Sequence, residues 1–181
     1  MDNMKKIGTI NYKDEKYANI FMIGSFVFFI LIGVIFIILS KSRENNTVDS
    51  QWFLLGCFGY IILHELTHLF FMKIFSKEKV HISIKLPTIS VGSSAKFSRT
   101  QFMIIILAPV VILGIALIAC MVLFPKEYTF FFSILLILNF AGSGGDYFQW
   151  LKINKYPANT FFQDNSVETL VYQREIDEDM R

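Results

Sequence analysis

The chain has 181 residues, a formal net charge of +2 and only two cysteines, and 54% of its residues are hydrophobic. The small net charge predicts no nucleic-acid partner, and two cysteines exclude a disulfide framework. The mean hydropathy of +0.49 is above that of an ordinary soluble domain. Its apolar residues are bunched into long runs, which is typical of membrane proteins.

Four apolar runs reach the roughly 20 residues with which a helix crosses a bilayer. They cover residues 20–40, 52–72, 102–124 and 128–151. The sequence therefore predicts an all-α membrane protein with four transmembrane helices within residues 20–151. An N-terminal segment at residues 1–19 precedes these helices, and a tail at residues 152–181 follows them. The first run is too long for the apolar core of a signal peptide, so we expect a retained helix.

The basic residues predict the orientation in the membrane. Of the seventeen Lys and Arg residues, fourteen lie in the N-terminal segment, the loop between the second and third runs, or the tail. Because Lys and Arg are enriched in cytoplasmic loops, we expect both termini and that middle loop to be cytoplasmic.

The middle loop contains a strand pattern. Apolar Val80, Ile82, Ile84 and Leu86 alternate with polar His81, Ser83 and Lys85 before Pro87 ends the pattern. A period of two indicates a half-exposed strand. A return strand through Ile89 and Val91 would complete a small cytoplasmic β-hairpin between helices two and three.

The third and fourth runs each contain residues that disturb a helix. Pro109 cannot donate a hydrogen bond to the carbonyl of Ile105, so a kink is expected there. In the fourth run, the glycine-rich stretch 142–145 precedes Asp146. Such a break is tolerated in a membrane where it lines a cavity or packs on a neighbour. It would let the fourth helix approach the second and direct Asp146 toward it.

The motif His64-Glu65-Leu66-Thr67-His68 lies within the second run. Residues i and i+4 share one helix face, so the two imidazoles can bind one zinc ion. Glu65 points about 100° away from His64 around the helix, as 3.6 residues per turn require. It is placed to act as the general base on an attacking water.

A catalytic zinc usually has a third protein ligand, and Asp146 is the best candidate. It is the single charged residue in the other three runs, where an unpartnered carboxylate is costly. His68 lies five residues before Lys73, about 7.5 Å along a helix, and Asp146 lies six before Lys152, about 9 Å. Both helices run toward the cytoplasm, so the two groups are expected at a similar depth.

These residues also allow other interpretations. The histidines and Glu65 could form a structural ion pair between helices, and Asp146 could pair with an interfacial lysine. His81 is expected on the solvent face of its strand rather than at a metal. Asn139, two turns before Asp146, could bind a substrate carbonyl or join helices, and joining helices is favoured.

The motif with a later membrane aspartate resembles the site-2 protease group of intramembrane metalloproteases. The chain is more similar to DUF3267, a bacterial family of small zincin-type membrane peptidases. The matching stretches are Leu107-Ala108-Pro109, Asn139-Phe140-Ala141-Gly142-Ser143-Gly144-Gly145-Asp146, Gln163-Asp164 and Val171-Tyr172, in addition to the motif. The resemblance implies zinc at His64, His68 and Asp146, with Glu65 as base, in a bacterial plasma membrane.

The sequence thus predicts a zinc-dependent membrane endopeptidase that cuts near the cytoplasmic face. The expected partners are the lipid bilayer and a membrane-protein or peptide substrate, which the strand within residues 79–91 would bind by strand addition. The alternative is a non-hydrolytic metal-binding membrane protein, such as a transporter, a sensor or a degenerate enzyme acting as a scaffold.

Overall fold

The computed structural model describes residues 4–11, 15–41, 48–85 and 88–174, and the side chains at 84, 85, 88 and 89 lie outside this description. Four helices in it are long and apolar enough to cross a membrane: Ala18–Ser40, Ser50–Phe75, Arg99–Leu123 and Lys126–Ile153. The prediction of four such helices is confirmed. Pro87 and the ends of both termini, residues 1–3 and 175–181, lie outside the described residues.

The first helix, α1 (Ala18–Ser40), is continuous and buries only Ala18 and Gly33. Apolar side chains cover its outer surface, including Leu39, which is 78% exposed. A helix that is apolar all round requires apolar surroundings on every side. It packs on the helices near the C-terminus of the chain, and the second helix, α2 (Ser50–Phe75), packs on the third.

The third long helix is interrupted at Pro109. It consists of α3 (Arg99–Ala108), a π-helical turn (Pro109–Leu113) and α4 (Gly114–Leu123). Ser98 and Gln101 cap the start of α3 reciprocally, with the Gln101 N–H donating to Ser98 Oγ and the Ser98 N–H donating to Gln101 Oε1. The disturbance predicted at Pro109 therefore takes the form of a π turn.

The fourth long helix is interrupted at Ser143, between α5 (Thr129–Gly142) and α6 (Gly144–Ile153). The Ser143 hydroxyl donates to the carbonyl of Asn139 at 2.7 Å. Gly144 packs so closely on α1 that a Cβ there would lie 3.3 Å from the backbone of Met22. The glycine-rich stretch thus brings α6 against a neighbouring helix, which here is α1.

Two antiparallel sheets accompany the helices, whereas the sequence predicted only a small hairpin. The predicted hairpin is present: β2 (Val80–Lys85) pairs with β3 (Thr88–Ser93). The second sheet has the strand order β1-β6-β5-β4, so it contains strands from near both ends of the chain. Its strands are β1 (Met4–Ile10), β4 (Phe97–Ser98), β5 (Thr160–Asp164) and β6 (Thr169–Arg174).

The larger sheet was missed because its strands are short and widely separated in the sequence. Met4 pairs with Arg174, and Phe97 pairs with Phe162. Aromatic packing holds the sheet against α3. The rings of Phe102 on α3 and Phe162 on β5 stack with their centroids 5.5 Å apart. Both side chains are fully buried. This core fixes the β5–β6 hairpin against the ends of α3 and α6.

Candidate metal centre

Helix α2 places the two motif histidines one turn apart on one face. The ring centroids of His64 and His68 are 5.1 Å apart. This is the spacing at which two imidazoles from one helix can share an ion.

Asp146 reaches both imidazoles from the first turn of α6. Its Oδ2 lies 3.3 Å from His64 Nε2, and its Oδ1 lies 3.5 Å from His68 Nε2. The three side chains are 11–15% exposed. One ligand atom from each residue lies within 4.8 Å of the others. The structure therefore brings together the three residues that the sequence selects as a metal-binding set.

The donor atoms fit a zinc ion better than a structural ion pair. The two contacts of Asp146 are longer than the roughly 2.7–2.9 Å of a charge-assisted hydrogen bond. Its Oδ2 is buried without a hydrogen-bond partner among the described residues. A buried carboxylate oxygen without a partner is costly, and a cation between the three side chains would satisfy it. Two imidazoles and a carboxylate are ligands that zinc accepts.

The alternative partner of Asp146 is engaged elsewhere. The ammonium of Lys152, the interfacial lysine nearest to it on α6, forms an ion pair with Glu15. The carboxylate of Asp146 is thus directed at the histidines and away from the end of its helix.

The ring of His68 is oriented by a backbone group of α3. Its Nδ1 lies 2.9 Å from the carbonyl oxygen of Ile105. A carbonyl can only accept, so Nδ1 is the donor, and in the neutral ring Nε2, which lies nearest Asp146, then carries the lone pair. Histidine ligands commonly have such an outer partner, which fixes the tautomer and the ring orientation.

A cavity of about 150 Å³ adjoins two of the three residues, His68 and Asp146. Glu65 lines it beside His68 and Asp146, as a general base must. Its other walls are Met72 of α2, Ile105 and Ile106 of α3, Ser90 and Val91 of β3, Gln149 of α6, and residues of the β5–β6 hairpin. The sequence did not indicate that the hairpin of the C-terminal tail lines the site.

Buried polar contacts fix this hairpin beside the cavity. The side-chain amide of Gln149 donates to Asp164 Oδ2 at 3.2 Å and to Thr169 Oγ1 at 2.7 Å. The N–H of Ser166 donates to Asp164 Oδ1 at 2.8 Å. Burial raises the pKa of Asp164, and these hydrogen bonds oppose the shift. Gln163-Asp164 belongs to the family resemblance, but nothing in the sequence indicated its contact with Gln149.

The two hairpins also meet each other. The Nε2 of His81 lies 3.3 Å from the carbonyl of Asn165, and the hydroxyl of Ser90 donates to the carbonyl of Ser166 at 3.2 Å. A Cβ on Gly92 would lie 2.6 Å from the backbone nitrogen of Ser166, so only glycine permits this approach. His81 is exposed and lies apart from the metal-binding cluster, as the strand pattern predicts.

Asn139 joins helices, which is the role that the sequence favoured. It is fully buried. Its side chain accepts a hydrogen bond from the Tyr60 hydroxyl of α2 and donates to the carbonyl of Val110 in the π turn at 2.9 Å. With these partners its amide is occupied by the protein itself.

His64, His68 and Asp146 thus form a group that could hold one metal ion, on a scaffold of long apolar helices. Residues 57–161 match the model of the DUF3267 family, described as "Putative zincin peptidase". The chain belongs to this family, as the sequence predicted. No curated protein and no solved structure matches the chain. The more distant likeness to site-2 proteases stays a prediction.

Proposed function

We propose that the protein is a zinc-dependent membrane endopeptidase that hydrolyses membrane or membrane-adjacent proteins near the cytoplasmic face. One observation carries the proposal: the carboxylate of Asp146 lies within 3.5 Å of the Nε2 atoms of both motif histidines. Membership of a family described as a zincin peptidase supports the same reaction class.

The proposed location is a bacterial plasma membrane with both termini in the cytoplasm. The membrane location is supported by four helices that are long and apolar enough to cross a bilayer. The orientation is supported by the distribution of Lys and Arg. In this orientation the two hairpins and the cavity lie at the cytoplasmic ends of α2 and α6. Substrates would then be cut at that surface.

The proposed roles of the residues follow from the geometry. Zinc held by His64, His68 and Asp146 would supply Lewis-acid chemistry and a nucleophile from water near neutral pH. Glu65, in the wall of the cavity, would accept the proton of the attacking water and return it to the leaving amine.

The proposed substrate must reach the cavity as an extended chain, because a helix shields its own carbonyls. Ser90 and Val91 of β3 line the cavity. An extended peptide adding to the hairpin would therefore place a peptide bond beside Glu65. Gly92, the residue after Val91, contacts the β5–β6 turn, and this contact would limit the width of the opening through which a peptide enters the cavity.

The test is cleavage of a membrane-protein substrate by the purified, zinc-loaded protein in detergent or liposomes. Glu65→Gln removes the base and keeps the shape of the side chain, so cleavage should fall by about 10²–10⁴-fold. Zinc content should be unchanged, since Glu65 is not a proposed ligand. Glu127→Gln is the matched control, because Glu127 is exposed in the turn between α4 and α5.

The outcomes separate the proposal from its alternative. Loss of cleavage in Glu65→Gln with normal zinc content supports the endopeptidase. Equal cleavage by both forms excludes Glu65 as the base. Zinc binding without cleavage by the unaltered protein favours a transporter, a sensor or a scaffold.

A further inference from the structure

The π turn in the third long helix begins at a proline one turn beyond a buried carbonyl. In a regular helix the N–H of residue 109 would donate to the carbonyl of Ile105. Pro109 has no N–H, and the ring of a helical proline crowds the carbonyl of residue i−4. The oxygen of Ile105 therefore lacks its ordinary partner within the helix.

The buried position of this carbonyl makes another partner necessary. Ile105 is fully buried and Pro109 is buried as well. An unpaired buried carbonyl costs about 1–3 kcal/mol, so it must find a donor within the protein. The donor is Nδ1 of His68, at 2.9 Å on the facing helix α2.

We infer that Pro109 is a positioning residue of the metal centre: by withholding an N–H from the Ile105 carbonyl, it reserves that oxygen for Nδ1 of His68. The hydrogen bond then fixes the tautomer of His68 in which Nε2 has a free lone pair facing Asp146. As a statement about a metal centre, this inference rests on the proposed function. The hydrogen bond and the tautomer do not depend on hydrolysis.

The position of the proline follows from the same requirement. A proline at 108 would free the carbonyl of residue 104, and one at 110 would free that of residue 106. Ile104 lines an apolar groove with Phe71 and Leu107. Ile106 lines the cavity beside Ile105, but the carbonyl that His68 Nδ1 contacts, at 2.9 Å, is that of Ile105. Only a proline at 109 frees the carbonyl that faces the histidine.

The test compares two replacements of Pro109 that differ in a single N–H. Pro109→Ala supplies an N–H that competes with His68 for the Ile105 carbonyl. The second replacement is lactic acid, the α-hydroxy analogue of alanine, which is introduced by nonsense suppression. It has the side chain of alanine, but an ester replaces the amide before residue 109, so there is no N–H. Pro125→Ala, at the turn between α4 and α5, controls for loss of a proline elsewhere.

Two measurements on the full-length protein in detergent decide the inference. The first is zinc affinity, measured by chelator competition, which should fall about 10-fold in Pro109→Ala. Loss of the hydrogen-bond partner of a histidine ligand typically lowers metal affinity by about 10–100-fold. Zinc affinity should be largely restored by the lactic acid form and unchanged in Pro125→Ala. The second is the ¹⁵N NMR spectrum of the metal-free protein with labelled histidines, in which His68→Asn assigns the His68 signals.

In the spectrum, His68 should be the Nδ1–H tautomer in the unaltered protein and the lactic acid form. Pro109→Ala should increase the Nε2–H tautomer. The inference is overturned by an Nε2–H tautomer in the unaltered protein. It is also overturned if the alanine and lactic acid forms lose zinc affinity equally, which would make Pro109 a purely structural residue.

The failure of the proposed function has a different signature. If the unaltered protein binds no zinc, the endopeptidase proposal fails, while the spectrum still reports the partner of His68. If Pro109→Ala does not fold, the unaltered protein and the lactic acid form still decide the tautomer.

Discussion

The third and fourth long helices are both interrupted, and the two breaks serve the same site in different ways. At the π turn after Pro109 the contribution is a backbone carbonyl, that of Ile105, which binds His68. At the break around Ser143 the contribution is a side chain, Asp146, which lies in the first turn of α6. The continuous helix α1 contributes no ligand and instead packs on α6.

This comparison shows that a departure from helical geometry can have a chemical use in apolar surroundings. Regular helices satisfy all their backbone groups internally and therefore offer none to a site. Breaking one helix frees a carbonyl, and breaking the other lets an acidic side chain approach the facing helix. Asn139 connects the two breaks, since its side chain binds Val110 in the π turn and its carbonyl accepts from Ser143.

The largest effect is expected from removing the side chain that the break in the fourth helix provides. Asp146→Ala removes one of three proposed ligands, so cleavage should disappear. Zinc affinity should fall by more than about 100-fold, the largest typical effect of removing a residue that only hydrogen-bonds to a ligand. Chelator competition and a cleavage assay measure this. Asp49→Ala is the control, because Asp49 is exposed at the other end of α2. Unchanged affinity in Asp146→Ala would mean that the break does not serve a metal.

An intermediate effect is expected from disturbing the close packing of Gly144 on α1, which sets the direction of α6. In Gly144→Ala the new Cβ would lie 2.8 Å from Ser25 Oγ and 3.3 Å from the backbone of Met22. Overpacking of this kind costs about 1–3 kcal/mol, and it should also weaken zinc binding because Asp146 begins the same helix. Unfolding by SDS titration and chelator competition give the two values.

Gly142 is the matched control within the same glycine-rich stretch. A Cβ there meets nothing within 4 Å. Gly142→Ala should therefore leave zinc binding unchanged and stabilise the helix by up to about 1 kcal/mol. If both alanine variants behave alike, close packing of α6 on α1 does not position Asp146.

The smallest effect is expected from the residue that joins the two breaks. Asn139→Ala removes the side-chain hydrogen bonds to Tyr60 and Val110. Interhelical hydrogen bonds in membrane proteins average about 0.6 kcal/mol, so the loss of stability should be about 1–2 kcal/mol. SDS titration measures it against Asn159→Ala, whose side chain is exposed. A loss no greater than that control would show that the breaks are held independently.

Local sequence patterns were sufficient for much of this protein. Long apolar runs predict four helices because hydropathy and length alone decide whether a segment can cross a bilayer. The spacing of His64 and His68 predicts a shared ion because helical geometry fixes which residues share a face. Asp146 was selected because a carboxylate within an apolar run is costly without a partner.

Only the tertiary structure placed the rest of the site. Asp164 contacts Gln149 from β5, which belongs to the same sheet as the N-terminal strand β1, and pairing between distant strands leaves no local pattern. The sequence predicts that Pro109 frees the carbonyl of Ile105, but it does not indicate which side chain binds that oxygen. His68 binds it because α2 and α3 pack face to face, and such packing depends on the summed contacts of the whole fold rather than on any single segment.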